Sequence, residues 1–230
     1  MTIEDSASPG ADLLEELLAS RHSCRGFLEK PVPRPTMDRL LSIAQRTASW
    51  CNTQPWQVLI TNGAATERFR DAMDADEDDA PASELEWPSA YLGIYLQRRR
   101  ECGYSLFESV GIAKGDRVGS RRQAQENFRF FGAPHVAIIT TDKALGPYGA
   151  VDCGGYVATC LLAAESLGLA AIPQAALASK SPIIRRFFEI GDDRVIVCGI
   201  SFGYEDRAHP ANGFRTTRAA LSEAVRWVDA

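Results

Sequence analysis

Four short apolar runs, set among long stretches of helical periodicity, constrain this chain more than any other feature of its sequence. Residues 194–203 (RVIVCGISFG) are the most apolar of them. Trp56–Thr61 (WQVLIT) and His135–Thr141 (HVAIITT) have the same character, and Leu169–Pro173 is a shorter apolar piece. Runs of this length, rich in β-branched residues and bounded by turn signals such as Asn62-Gly63, read as strands. They mix with helices without regular βαβ units, which predicts an α+β fold. The 230 residues are expected to form a single domain, 1–230, with a helical insertion at about 84–131.

The helices follow from spacing and punctuation. Leu13, Leu14, Leu17 and Leu18 make an amphipathic stripe after a disordered lead-in at residues 1–10. Thr36 is placed to cap a helix that turns Leu40, Leu41, Ile43 and Ala44 inward. A helix from about Ala64 to Met73 runs into the acidic stretch Asp74–Asp79, read as a solvated loop. Within the insertion, Asp116 is placed to cap a helix toward Phe131. A long helix from Tyr148 to Leu167, ended by Gly168, carries Gly154, Gly155, Ala158, Ala163 and Ala164, so it is expected to be central and closely approached. Ser181-Pro182 opens another helix, and Arg218–Trp227 reads as the last one.

Composition excludes several functions. A net charge of −5 argues against nucleic acid as the main partner. No apolar run nears the roughly 20 residues that span a bilayer. The first residues, MTIEDSASPGADLL, lack the basic and apolar regions of a secretory signal, so a cytoplasmic location is expected, with no membrane partner. Six cysteines and three histidines are scattered without C-x-x-C or closely spaced ligand pairs, so no metal site is expected.

Two polar clusters carry the chemical signal. Arg21-His22-Ser23-Cys24-Arg25 places two guanidiniums and a hydroxyl within five residues, a set matched to phosphate. In extended backbone, Arg21, Ser23 and Arg25 would point to one side. The same residues also read as an exposed charged linker. Residues 47–56 (TASWCNTQPW) are a loop of small polar residues between a helix and a strand, where a planar ligand can be met by amides. A plain turn with a buried Trp56 is the alternative.

R-H-S-x-R near the N-terminus, A-S-x-x-N-x-Q-P-W about 25 residues on, G-L-x-A-I-P-Q-A near 170 and a late R-x-x-R resemble, in order and spacing, the FMN-dependent nitroreductase family. The insertion, with R-R-R-E-C-G-Y, G-I-A-K-G-D-R and R-R-Q-x-x-x-N-F-x-F-F, is similar to the branch that includes nitrobenzoate nitroreductases. The resemblance implies a central antiparallel-rich sheet wrapped by helices, in an intertwined homodimer with FMN at the interface. It implies that Arg21 and Ser23 hold the FMN phosphate with His22 beside them, and that Arg25 lies near the flavin ring. Ser49, Asn52, Gln54 and Asp152 would approach the flavin, the first three from the partner subunit. Pro173, Gln174 and Ala175 would line the ring. Arg218, at the start of the last helix, would complete the phosphate site, joined by Arg215. The implied reaction is ping-pong: NADPH or NADH gives hydride to the flavin, then a nitroaromatic (carboxylated ones included) or quinone-type acceptor takes the electrons. The flavin carries the chemistry, so no catalytic side chain is expected.

Trp50 departs from the family pattern, which has a small residue there. It is expected, with Phe107 and Phe131, in the acceptor pocket; burial across a dimer contact is the other reading. Arg98–Arg100, if turned inward, would favour carboxylated acceptors. Reductive dehalogenation, enone reduction, flavin breakdown and a non-catalytic FMN-binding protein are the alternatives within the same resemblance.

Overall fold

The computed structural model describes residues 8–75 and 82–228. Five strands form one sheet: β1 (Phe27–Leu28), β2 (Gln57–Thr61), β3 (His135–Asp142), β4 (Ala170–Gln174) and β5 (Arg194–Glu205). Every pairing is antiparallel, and the twelve-residue β5 pairs with β1, β3 and β4. β2 joins the sheet through β3. The sequence suggests why β3 and β5 are inner strands. They are near-continuous apolar runs, the pattern of strands covered on both faces, and β3 is buried from His135 through Thr141. One bulge interrupts them: Ile139 faces Cys198 and Thr140 faces Ile196, leaving Val197 as the extra residue.

Side chains alternate across a strand, so the sheet feeds two cores. Ala137, Ile139, Ile200 and Phe202 pack with residues of α2 (Arg34–Ala44) and α6 (Gly146–Ser166). Val136, Ile138, Ile172 and Ile196 pack with Phe69 of α3 (Ala64–Asp74), Leu177 of α7 (Ala175–Ala178) and Ile184 of α8 (Ser181–Phe188). The remaining helices, in chain order, are α1 (Pro9–Ser20), α4 (Gly93–Ser109), α5 (Arg117–Gln125) and α9 (Leu221–Ala224). No helix among the described residues is long and apolar enough to cross a membrane. No group of three metal-ligating side chains occurs among them either.

Several boundaries differ from the sequence expectations. The lead-in is shorter than expected, because α1 already starts at Pro9, a residue suited to a first helical turn; residues 1–7 lie outside the described residues. α2 starts at Arg34 rather than after Thr36, with Pro35 in its first turn and no side-chain cap. In the insertion Asp116 does cap α5, accepting the Gly119 N–H at 2.9 Å, but the helix ends at Gln125 instead of reaching Phe131. From Asp76 onward, the acidic stretch lies outside the described residues.

α6 is central as expected, and the expected small-residue face is buried in part within the single chain. Tyr156, Cys160, Ala163 and Ala164 are buried, whereas Gly154, Gly155 and Ala158 are exposed. The large side chains fix the helix rotation, and the close approach falls at Gly149, where a Cβ would sit 2.3 Å from Thr141 Oγ1. The last helix is reduced to four residues, 221–224, and Trp227 is 77% exposed. An amphipathic helix needs its apolar face covered, and a single chain offers that tail no cover.

His135 is a core residue. Its Nε2 accepts the Val32 N–H at 2.9 Å, its Nδ1 faces the Thr61 carbonyl at 3.4 Å, and its ring stacks on Phe202. Burial lowers its pKa from the ordinary imidazole value. As pH falls below about 6.5, the unfolded chain therefore takes up a proton that the folded chain resists, and stability falls. His135→Gln is expected to flatten the loss of unfolding free energy between about pH 7 and about pH 5. Denaturant titrations with the same slope for both proteins would contradict this assignment.

Candidate functional site

The segment after α1 is folded around Cys24. That thiol is fully buried, and burial pushes its pKa up to about 12, so it packs rather than reacts. The Cys24 N–H donates to the Ala171 carbonyl at 3.2 Å, and Ser23 bridges Ala171 in parallel fashion. With Cys24 turned inward, its neighbours face out. Arg21, His22, Ser23 and Arg25 line a recess of about 360 Å³ that Arg215 and Arg218 close from the loop after β5. Cys102 of α4 and Phe214 also border it.

The electrostatics of this recess are lopsided. Among the described residues, none of Arg21, Arg25, Arg215 and Arg218 forms an ion pair. Arg25 Nη1 donates to the Ser23 carbonyl at 3.2 Å, and its guanidinium lies 5.5 Å from the Phe214 ring centroid. Arg215 Nη1 donates to the Asn212 carbonyl at 2.7 Å, and Arg218 Nη1 to Thr216 Oγ1 at 2.9 Å. Burial lowers the pKa of Arg25, yet a guanidinium stays charged at any physiological pH. The recess therefore presents concentrated positive charge, and its donor set suits a phosphate-like anion. Arg218 reaches it from an extended loop, not from a helix start. The last helix, expected to start at Arg218, begins only at Leu221.

Asn212 holds this arrangement and carries no motif that marks it. It is 4% exposed. Its Oδ1 accepts the Arg25 N–H at 2.6 Å, and its Nδ2 donates to the carbonyls of Gly26 and Asp206, each at 2.9 Å. One buried amide thus ties the first motif to the closing loop. In sequence, Asn212-Gly213 shows only a turn signal.

The second cluster lies apart from this recess. Ser49, Asn52, Gln54 and Asp152 come together around a short 3₁₀ turn at Trp50–Asn52. The Asp152 carboxylate accepts the Trp50 N–H with both oxygens at 3.2 Å. Gln54 N–H donates to Ser49 Oγ at 2.9 Å, and Gln54 Nε2 to Asn52 Oδ1 at 3.1 Å. Cys51, Asn52 and Gln54 all have left-handed φ values of 51°, 55° and 46°, strain of the kind that gathers at functional loops. The Trp50 indole leans on Tyr148 with centroids 4.7 Å apart, and both rings are exposed.

The third expected group is split. Pro173 and Ala175 sit at the corner between β4 and α7, with Ala175 exposed. The Gln174 side chain turns inward and is 2% exposed. It donates to the Asn127 carbonyl at 2.9 Å and accepts from Ser201 Oγ, so both ends of the amide are engaged within the chain. Asn127 belongs to the end of the insertion, which this network fastens to the sheet.

The expected pocket aromatics also separate. Phe131 is buried in the core beside Phe130 and borders a different recess, with Arg70 and Pro134, so it is no part of the arginine recess. Phe107 is half-buried on α4 and does not line that recess either. The arginine run divides: Arg98 pairs with Glu223 at 3.0 Å in a hollow that also borders Arg215 and Arg218, while Arg99 lies over the Tyr91 ring at 5.1 Å.

A recess of unpaired guanidiniums lies beside a five-stranded antiparallel sheet, with a strained amide-rich loop on a separate surface, and its donor set suits a phosphorylated ligand. The chain belongs to the nitroreductase family, whose pattern it matches over residues 18–204. It is 34% identical over 221 residues to nitroreductase NfnB of Mycolicibacterium smegmatis, covering 94% of this chain and 93% of that protein. It is 32% identical over 208 residues to a 4-nitrobenzoate reductase of Pseudomonas putida, covering 90% and 92% of the two chains. Among solved structures, FMN-dependent nitroreductase NfnB from Mycobacterium smegmatis in complex with NADPH superposes with a TM-score of 0.90 at 32% identity, over 95% of this chain and 99% of that one.

Asn212→Ala strands the Arg25 N–H, while the Gly26 and Asp206 carbonyls keep the N–H donors of Asp206 and His209. One unmet buried group costs about 1–3 kcal/mol, so a loss of about that size is expected in denaturant unfolding. A loss below about 0.5 kcal/mol, the usual span of a surface substitution, would remove Asn212 from this role.

Proposed function

We propose that the chain is an FMN-dependent NAD(P)H oxidoreductase that reduces nitroaromatic acceptors in the cytoplasm, working as a homodimer. The observation that carries this reading is the recess of four guanidiniums without carboxylate partners. Its donor set fits the phosphate of FMN: Arg21, Arg215 and Arg218 supply charge and paired N–H donors, and Ser23 a hydroxyl. Arg25, held by Asn212 and Phe214, lies at the same recess and would place its cation beside the flavin ring. When bound, FMN accepts electrons from a reduced nicotinamide and passes them to the acceptor. The protein's share is binding, orientation and charge.

The homodimer is supported by what one chain leaves uncovered. Leu13, Leu14 and Leu18 of α1, Tyr148 and Val151 of α6, and Leu221, Trp227 and Val228 of the tail are large apolar side chains exposed to solvent. Such side chains in number mark an interaction surface. Within one chain, Ser49, Asn52, Gln54 and Asp152 stay off the arginine recess; a second copy would bring them to it. Trp50 and Phe107 would then border the acceptor, with Trp50 offering a flat stacking surface. Of the arginine run, Arg98 is paired with Glu223 and Arg99 lies over Tyr91, so neutral nitroarenes are proposed as acceptors alongside nitrobenzoates. An FMN-dependent relative solved in complex with NADPH and a second that is FMN- and NADPH-dependent support NADPH as donor.

The purified protein is expected to be yellow and dimeric. Anaerobic NADPH should bleach its flavin, and a nitroarene should restore the colour while forming a hydroxylamine. A flavin that NADPH leaves oxidised would overturn the enzymatic reading, and product from a halophenol instead of a nitroarene would redirect it to dehalogenation.

A further inference from the structure

One wall of the arginine recess is a histidine with an unusual set of neighbours. His22 borders that recess and also a second hollow of about 670 Å³ that contains Glu205. Its Nε2 lies 3.0 Å from Glu205 Oε1, and its Nδ1 lies 3.3 Å from the Ser20 carbonyl oxygen. A neutral imidazole has one donor nitrogen and one acceptor nitrogen, whereas both partners here are acceptors. Only the doubly protonated ring satisfies both contacts. Ser20 is the last residue of α1 and Glu205 the last of β5, so the ring ties two element ends together across the start of the phosphate-facing segment. Glu205 is also the residue that faces Phe27 in the β1–β5 pairing, at the end of that segment. The side chains of His22 and Glu205 are 15% and 22% exposed, so solvent screens this pair less than an open surface pair.

We infer that His22 and Glu205 form a proton-dependent clasp that positions Arg21 and Ser23, and that FMN is held more tightly when the clasp is protonated. The inference rests on the reading of the arginine recess as the FMN phosphate site. His22 faces the recess, while Glu205 lines only the second hollow and acts through it, as a positioning residue. The surrounding charges pull both ways. Arg21 and Arg25 on its own segment and Arg215 and Arg218 on the closing loop oppose an imidazolium, and so does Lys30 in the shared hollow. Glu205 and, at the end of α6, Glu165 favour it. Arg207, 3.9 Å from the second Glu205 oxygen, competes for the same carboxylate. Loss of the proton removes a positive charge from the recess wall and leaves one acceptor facing another, so raising the pH loosens the segment and weakens FMN binding. The phosphate of FMN itself gains a proton below about pH 6, which acts in the opposite sense. A comparison between variants at each pH cancels that contribution.

The test is the affinity of apo-protein for FMN, read by flavin fluorescence quenching from about pH 6 to about pH 9, spanning the range in which an imidazole loses its charge. Wild type, Glu205→Gln and Arg21→Ala are compared. At the acid end, wild type is expected to bind FMN roughly two- to fivefold more tightly than Glu205→Gln, the scale of a partly exposed ion pair, and the gap should close at the alkaline end. A gap that stays constant with pH, or no gap at any pH, overturns the clasp. Arg21→Ala separates the two levels of inference. If it binds FMN as wild type does, the phosphate site is misassigned; if it binds weakly while Glu205→Gln matches wild type throughout, the clasp alone is wrong. Should Glu205→Gln fail to fold, His22→Asn takes its place, with the same closing gap expected and a constant or absent gap again decisive against the proposal.

Discussion

Four guanidiniums around one recess repel each other, and none of them forms an ion pair among the described residues. That imbalance is the constraint on which the rest of the structure depends. At a separation of a few ångströms, like charges cost on the order of 1 kcal/mol or more even where water screens them. The scaffold must therefore hold them in place until an anion arrives. Cys24 anchors the first segment inside the core, Asn212 staples it to the closing loop, and the β1–β5 pairing fixes where it ends. Each of these tethers uses neutral or main-chain groups, so none of them consumes the positive charge.

The sheet sets the scale of the site. β5 runs long enough to pair with β3 and β4 and still reach Phe27 at its end, which places the loop carrying Asn212, Arg215 and Arg218 beside the segment carrying Arg21 and Arg25. Residues almost 200 positions apart in sequence meet because one strand spans the distance. The insertion adds a third wall through Cys102 of α4, and the buried contacts among Gln174, Asn127 and Ser201 hold its far end on the sheet. Glu84 does the same at its near end: its carboxylate pairs with Arg185 and accepts the Ile196 N–H at 2.7 Å.

Much of this was legible in the sequence. The apolar runs marked β2, β3 and β5 to within a few residues; for the inner strands β3 and β5, cover on both faces leaves little room for polar interruption. The charge cluster at 21–25 was legible because arginine pairs so close together are costly unless used. Of the small-residue face expected on α6, Ala163 and Ala164 are buried and Gly154, Gly155 and Ala158 are exposed in the single chain, since glycine and alanine occupy tight and open faces equally well and Tyr156 and Leu161 decide the rotation. The tail beyond Arg218 was read as helix from its periodicity, but its apolar residues find no cover within one chain. Gln174 and Phe131, read as ligand contacts, are buried in the single chain, whereas Asn212 reads as a loop residue and ties the first motif to the closing loop. A single sequence shows which residue types are present; it does not show which of their polar atoms are already spoken for.

The measurement that bears most directly on the central claim is the discrimination between FMN and riboflavin, which differ by the phosphate alone. Replacing Arg218 by alanine removes one charge-assisted contact and leaves the remaining guanidiniums in the recess. A contact of that kind is worth about 1.5 kcal/mol or more, so the ratio of FMN to riboflavin affinity should fall roughly tenfold while riboflavin binding itself stays unchanged. An unchanged ratio, or an equal loss for both ligands, would show that the recess of unpaired arginines is not where the phosphate is held.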